Sequence, residues 1–201
     1  MAEDAITLIT RDHREMERLF EQLKTQKDDR PRLVEQVGAM LLAHSRAEEE
    51  KVYPEIVASS PDEQDEVYHG AQEHAEAEQI LHRLERADPQ SAQFDEILTE
   101  FVEAVSHHVE EEESEILPAL ADAVGQAKLE ELGRAFWERR EQELTLRAEG
   151  AGSSATSGSA GEDPGDLTKD ELYQRARDAD VPGRSSMDKD ELAEAVRKQA
   201  T

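Results

Sequence analysis

Residues 41–56, LLAHSRAEEEKVYPEI, and residues 105–120, VSHHVEEEESEILPAL, carry one pattern twice: at an offset of 64, His44 falls on His108, Glu48 on Glu112 and Pro54 on Pro118. A second pair, DHREMERLFEQL at 12–23 and EHAEAEQILHRL at 73–84, aligns at an offset of 61 and sets His13 on His74, Glu17 on Glu78 and Leu23 on Leu84. The chain up to about residue 147 therefore reads as two related helix pairs. In each pair the first helix brings one histidine, and the second brings a histidine and a glutamate four residues apart, one turn along the same face.

Around these motifs helical periodicity is nearly continuous, and β-branched and aromatic residues are too sparse for strands. Breaks fall at QKDDRP (26–31), SSPDE (59–63) and RADPQ (86–90), which predicts four helices at roughly 3–25, 31–57, 61–86 and 90–117. Ser60, Pro61 and Glu63 have the pattern of a helix start with a capping box. Short connections favour antiparallel neighbours, so the expected fold is an all-α, up-down four-helix bundle. A fifth amphipathic segment after Gly125, with Leu129, Leu132, Phe136 and Leu144 as its stripe, is expected to pack outside the bundle.

The helix faces decide where the repeated residues point. His44 and Glu48 share a stripe with Val37, Leu41 and Val52, and His108 and Glu112 share one with Phe94, Leu98, Phe101 and Val105. His13 lies with Ile6, Ile9, Met16 and Phe20, and His74 with Val67, Ala71, Leu81 and Leu84. Four imidazoles and two carboxylates thus interrupt apolar seams, where unpartnered polar groups cost on the order of 1 to 3 kcal/mol each. Metal coordination offsets that cost most simply. His107 competes with His108, because Glu111 lies four residues on, but the apolar stripe and the matched prolines select His108. His69 and His82 lie off the seams and are expected to face solvent, as is the acidic run at 110–114 apart from Glu112.

Composition narrows the chemistry. The chain has 201 residues and no cysteine, so thiolate ligands, iron–sulfur clusters and cysteine nucleophiles are excluded, and any metal is held by nitrogen and oxygen. Shared between two ions, this donor set suits iron or manganese and is compatible with zinc. The formal charge is −26; residues 149–201 hold 7 basic and 12 acidic side chains, leaving 16 basic against 37 acidic in residues 1–148. Such a body repels nucleic acid. No apolar run of 18 residues and no basic leader is visible, so a cytoplasmic location without membrane contact is expected.

The motifs DH at 12, HSRAEEEKVYP at 44, EH at 73 and HHVEEEESEILP at 107 resemble the hemerythrin HHE cation-binding family over about two thirds of the chain. The resemblance implies a non-heme centre of two oxo-bridged irons, with Glu48 and Glu112 bridging and His13, His44, His74 and His108 as terminal ligands. Oxygen-carrying members have a fifth histidine four residues from the third-helix ligand, where this chain has Gly70 and Glu78. One imidazole fewer leaves an open position on each ion, which favours a small oxidant such as hydrogen peroxide over reversible oxygen binding. The chain is also similar to an actinobacterial branch with the same four-histidine pattern, which implies catalase-like or peroxidase-like activity. A module that binds oxygen, nitric oxide or iron without turnover fits the same residues. Glu17 and Glu78 are candidates to orient imidazoles or shuttle protons. Tyr53, five residues after Glu48, is a candidate ligand or radical trap, although the matching position in the other copy is Leu117.

Residues 148–165 are rich in Gly and Ser and read as a flexible linker. Beyond them, 166–201 resembles the helix-extended-helix motif found at the N-terminus of the Rho termination factor, a relative of SAP modules. That resemblance implies nucleic-acid contact through Arg175, Arg177, Arg184 and Lys189, which the net acidity of the segment weakens.

Overall fold

The computed structural model describes residues 3–156, with side chains through 147, and Lys189. The helix-extended-helix unit expected at 166–201 lies outside the described residues apart from Lys189, which is helical and exposed. By backbone proximity the chain divides into Met1–Gly152 and Ser153–Thr201.

The first unit is all-helical, as its periodicity requires. Helix α1 (Ala5–Thr25) starts at Asp4, whose carboxylate accepts from the Thr7 backbone N–H at 2.8 Å. Helix α2 (Arg30–Ala47) passes through a π-helical turn (Glu48–Val52) into α3 (Tyr53–Ser59). Helix α4 (Gln64–Arg86) follows a 3-10 turn at Pro61–Glu63. Ser60 precedes that turn but its side chain makes no capping bond, so the expected box is not formed. Helix α5 (Ala92–Glu111) is capped by Ser91, which accepts from Phe94 N–H at 3.1 Å, and runs through a second π turn (Glu112–Ile116) into α6 (Leu117–Ala123).

The two π turns have one cause. Pro54 and Pro118 lack an N–H, and in a regular α-helix each ring would press on the carbonyl four residues back. The chain widens instead: the N–H of Tyr53 reaches the carbonyl of Glu48, and that of Leu117 reaches Glu112, five residues back in both. One extra residue per turn lets the helix continue past the proline, and in each copy it sets the widened turn at the glutamate that faces the core.

The core has two parts. One is built from Phe20, Leu33, Leu41, Leu81, Phe94 and Phe101 among others, at the end where the connections 26–29 and 87–91 lie. The other holds Ile9, Val52, Ile56, Ile116 and Leu120 together with Leu129, Leu132 and Phe136. The last three belong to α7 (Gln126–Thr156). This helix closes one side of the bundle rather than merely lying on it: Phe136 is fully buried, and its ring stands 5.8 Å from that of His44. Gly133 permits the close crossing, since a Cβ there would fall within 2.8 to 2.9 Å of the Asp4 and Ala5 backbone. The helix also extends through Thr156, into the stretch that composition assigns to the linker; helix propagation adds one hydrogen bond per residue once a long helix precedes it.

Candidate metal centre

Between the two core regions the bundle is interrupted by six polar side chains, His13, His44, Glu48, His74, His108 and Glu112, all buried. They are the six that the repeat singles out, and they converge as two sets. His13, His44, Glu48 and Glu112 each offer an atom within 4.8 Å of the others, and Glu48 does so again with His74 and His108. His13 Nε2 lies 3.2 Å from His44 Nε2 and 3.3 Å from Glu112 Oε2, and His44 Nε2 is 3.1 Å from Glu48 Oε2. On the other side His74 Nε2 is 3.4 Å from Glu48 Oε2, and His108 Nε2 is 3.9 Å from Glu112 Oε2. The two glutamates stand between the histidine pairs and reach both.

The donors fit a cation. Both oxygens of Glu48, both of Glu112, and the Nε2 atoms of His74 and His108 are buried without a hydrogen-bond partner. Orphaned groups of this kind are rare in stable folds. Four donors about 2.0 to 2.1 Å from one ion stand roughly 3.4 Å apart, which is the spacing found here. The electrostatics agree. Burial opposes a charged His44, but Glu48 and Asp12 outweigh it and raise its pKa to about 10. His74 is raised to about 9 in the same way by Glu48 and Glu49 against burial. Burial alone would push the Glu48 carboxyl up, yet His44 and His74 hold it well below its ordinary value. The pocket demands positive charge, which a proton or a metal ion can supply.

Three of the four imidazoles are hydrogen-bonded from behind, and the fourth, His44, faces a carboxylate there without a bond. Glu113 lies 2.8 Å from His13 Nδ1, Glu49 3.1 Å from His74 Nδ1 and Glu73 2.9 Å from His108 Nδ1, while Asp12 stands 3.6 Å from His44 Nδ1. In His13, His74 and His108, with Nδ1 protonated and donating to the carboxylate, Nε2 is the lone pair a metal would take. The arrangement obeys the repeat: Asp12 matches Glu73, and Glu49 matches Glu113. Asp12 is held below its ordinary pKa by His44 and by Arg140 of α7, against the effect of burial.

These carboxylates are not the ones that sequence spacing proposes. Glu17 is half exposed and bonds Arg14, away from His13. Glu78 faces His82 and Arg46, and reaches only the wall of a cleft that also touches His74. Nor is the acidic run at 110–114 wholly solvated, since Glu113 supports His13. His69 is 52% exposed and His82 35%, where both are expected to face solvent, and His107, the competitor of His108, is 62% exposed.

Tyr53 is buried beside the centre. Its ring stacks on His74 at 5.8 Å with an interplanar angle of 4°, and its hydroxyl has no partner. Burial first, then the negative field of Glu112 and Glu48, push the phenol well above its ordinary pKa. A Cβ at Gly70 would lie 3.0 Å from Tyr53 Oη, so the phenol takes up the room that a larger side chain at 70 needs.

Residues 4–120 match the profile of the hemerythrin HHE cation binding domain. The chain belongs to the hemerythrin HHE cation-binding domain family. Members of this family bind metal cations, and the His/Glu sets above are where this chain can do so. The fold is shared with the crystal structure of a hemerythrin HHE cation binding domain-containing protein from Mycobacterium kansasii, at a TM-score of 0.65 and 22% identity over 79% of this chain and 96% of that one. A DNA nickase of Nostoc sp. is 27% identical over 152 residues, or 72% of this chain; the chain spans 42% of that relative's length. Among the described residues no helix is long and apolar enough to cross a membrane.

Proposed function

We propose that this hemerythrin-like chain holds two iron ions and decomposes hydrogen peroxide, in catalase-like or peroxidase-like turnover serving oxidative-stress defence or iron homeostasis. The observation that supports this most directly is that Glu48 belongs to both buried donor sets, while Glu112 reaches His13 and, at 3.9 Å, His108, the sharing that two adjacent cations would need. Two adjacent irons supply a two-electron couple. One hydrogen peroxide takes two electrons and two protons, its O–O bond breaks, and two waters form. In catalase-like turnover a second peroxide returns two electrons and two protons and leaves as oxygen; in peroxidase-like turnover a small reductant supplies the electrons.

The chain's own residues shape this chemistry. A cleft of about 100 Å³, lined by Leu41, Ser45, Arg46, Glu49, His74 and Glu78 among others, leads to His74 between α2 and α4. A cleft this small suits a small oxidant. Tyr53 Oη, buried and unpartnered on a ring stacked against His74, is the chain's candidate to bind the reacting oxygen or to trap a radical beside it. A role on DNA draws no support from residues 1–148, with 37 acidic and 16 basic side chains.

The test is oxygen evolution and peroxide consumption by the iron-loaded full chain. Turnover is expected, and Tyr53→Phe is expected to keep its iron and slow it. Two bound irons with no peroxide consumption, together with a stable oxygen or nitric oxide adduct, would overturn the enzyme reading in favour of a binding module.

A further inference from the structure

The pseudo-twofold relation that organises the centre is broken at one place. On the α1–α2 side, Asp12 stands behind His44, and its Oδ2, 3.6 Å from His44 Nδ1, also accepts from the guanidinium of Arg140, delivered by α7. Around it Leu8, Ala43 and Ala47 are buried, and α7 covers Leu8 and Ala47 with Leu129, Leu132 and Phe136. The repeat carries these positions onto the α4–α5 side as His69, Glu73, His107 and Glu111. Glu73 is the counterpart of Asp12, and its Oε2 lies 2.9 Å from His108 Nδ1. Where Asp12 has an arginine, Glu73 has two histidines and a second carboxylate, three groups of metal-binding type in place of a leucine and two alanines.

Their spacing is that of ligands. His69 Nε2 is 3.6 Å from Glu73 Oε1 and 3.7 Å from Glu111 Oε2. His107 Nε2 is 3.3 Å from Glu111 Oε1 and 3.8 Å from Glu73 Oε1. His69, Glu73 and Glu111 each offer an atom within 4.8 Å of the others. None of these contacts forms a hydrogen bond, and most are too long for one. They surround the roughly 3.4 Å separation of donors on a tetrahedral ion. Both histidine–glutamate pairs are four residues apart on adjacent helices, so each presents its two donors on one face.

We propose that His69, Glu73, His107 and Glu111 form a further, solvent-accessible site for one divalent first-row transition ion on the α4–α5 face, outside the buried centre. A nitrogen and oxygen donor set of this kind takes Zn²⁺, Co²⁺ or Fe²⁺ in preference to Mg²⁺ or Ca²⁺. Glu73 links the two regions, one oxygen toward the surface ion and the other toward the His108 imidazole. The ion occupies the electrostatic role that Arg140 fills on the opposite side.

The test uses the full chain, loaded with iron and then titrated with Co²⁺ under anaerobic conditions. One additional equivalent is expected, with the visible ligand-field absorption of a low-coordinate cobalt site. His69→Asn with His107→Asn, both exposed and neither bonded to a donor of the buried centre, is expected to weaken that equivalent at least tenfold while iron content and the optical spectrum of the centre stay unchanged. No further equivalent in the parent chain, or one that persists undiminished in the double variant, would overturn the proposal. The same titration on metal-free chain separates this site from the buried one: the equivalent removed by the double variant belongs to the surface whether or not the centre takes iron.

Discussion

Replacing Glu113 by alanine isolates the support behind one ligand. Glu113 touches two groups: Oε1 lies 2.8 Å from His13 Nδ1 and Oε2 accepts from Arg14 at 2.5 Å. Glu17 also bonds Arg14, at 2.6 Å, but does not reach His13, so Glu17→Ala removes the arginine contact alone. The surface bond to Arg14 is half exposed and contributes little, on the order of 0 to 1 kcal/mol. The bond to His13 fixes the imidazole tautomer and ring direction, and loss of such a partner costs about 10- to 100-fold in metal affinity. That corresponds to roughly 1.4 to 2.7 kcal/mol. The assay is the rate and midpoint of iron loss to a competing chelator, followed optically. Glu113→Ala is expected to release one of its ions 10- to 100-fold more readily, and Glu17→Ala to behave as the parent. Equal behaviour of the two variants would refute the assignment and restore the helix-spacing choice of Glu17.

Phe136 is fully buried against His44, so Phe136→Ala leaves a cavity beside the centre and is expected to cost about 3 to 5 kcal/mol. At roughly 2 to 4 °C per kcal/mol for a chain of this size, the Tm of the metal-loaded protein should fall by about 6 to 20 °C in calorimetry; a fall below about 2 °C would mean that α7 does not seal the site. In the metal-free protein the Glu48 and Asp12 carboxylates raise His44 to about 10, and Glu48 with Glu49 raises His74 to about 9, so both imidazoles hold protons at pH 7.5. Metal uptake must then release about two protons from them, measurable in weakly buffered indicator solution, and release of none would contradict the electrostatic reading. The folded values lie above the ordinary 6.5, so this stabilisation of the metal-free form is complete below about pH 6.5 and is lost as pH rises through 9 to 10; its Tm should fall over that window.

The six convergent donors were legible because the chain writes them twice, at a spacing that only a helix face explains. The bundle followed from the same periodicity. The carboxylates behind the imidazoles were not legible in the same way. Glu17 and Glu78 sit one turn from His13 and His74, yet an inward imidazole turns its Nδ1 toward the neighbouring helix, so its partner comes from across the interface. His13 meets Glu113 of the second π turn, and His74 meets Glu49 of the first. The repeat preserves acids at both the intrahelical and the adjacent positions, and only the helix packing chooses between them. The role of α7 was hidden for a related reason: its stripe of Leu129, Leu132 and Phe136 shows that it packs, but not that Phe136 and Arg140 close the side where the first helix pair carries alanines instead of histidine and glutamate.

Six buried side chains from α1, α2, α4, α5 and the π turns are proposed to hold a pair of transition-metal ions. Elemental analysis with an optical spectrum of the purified full chain tests that proposal most directly. Two irons are expected in the buried centre with near-ultraviolet absorption of an oxo-bridged pair, both lost in His74→Ala and Glu112→Ala. A chain that purifies without transition metal and takes none up, or metal uptake that is unchanged in those two variants, would contradict it.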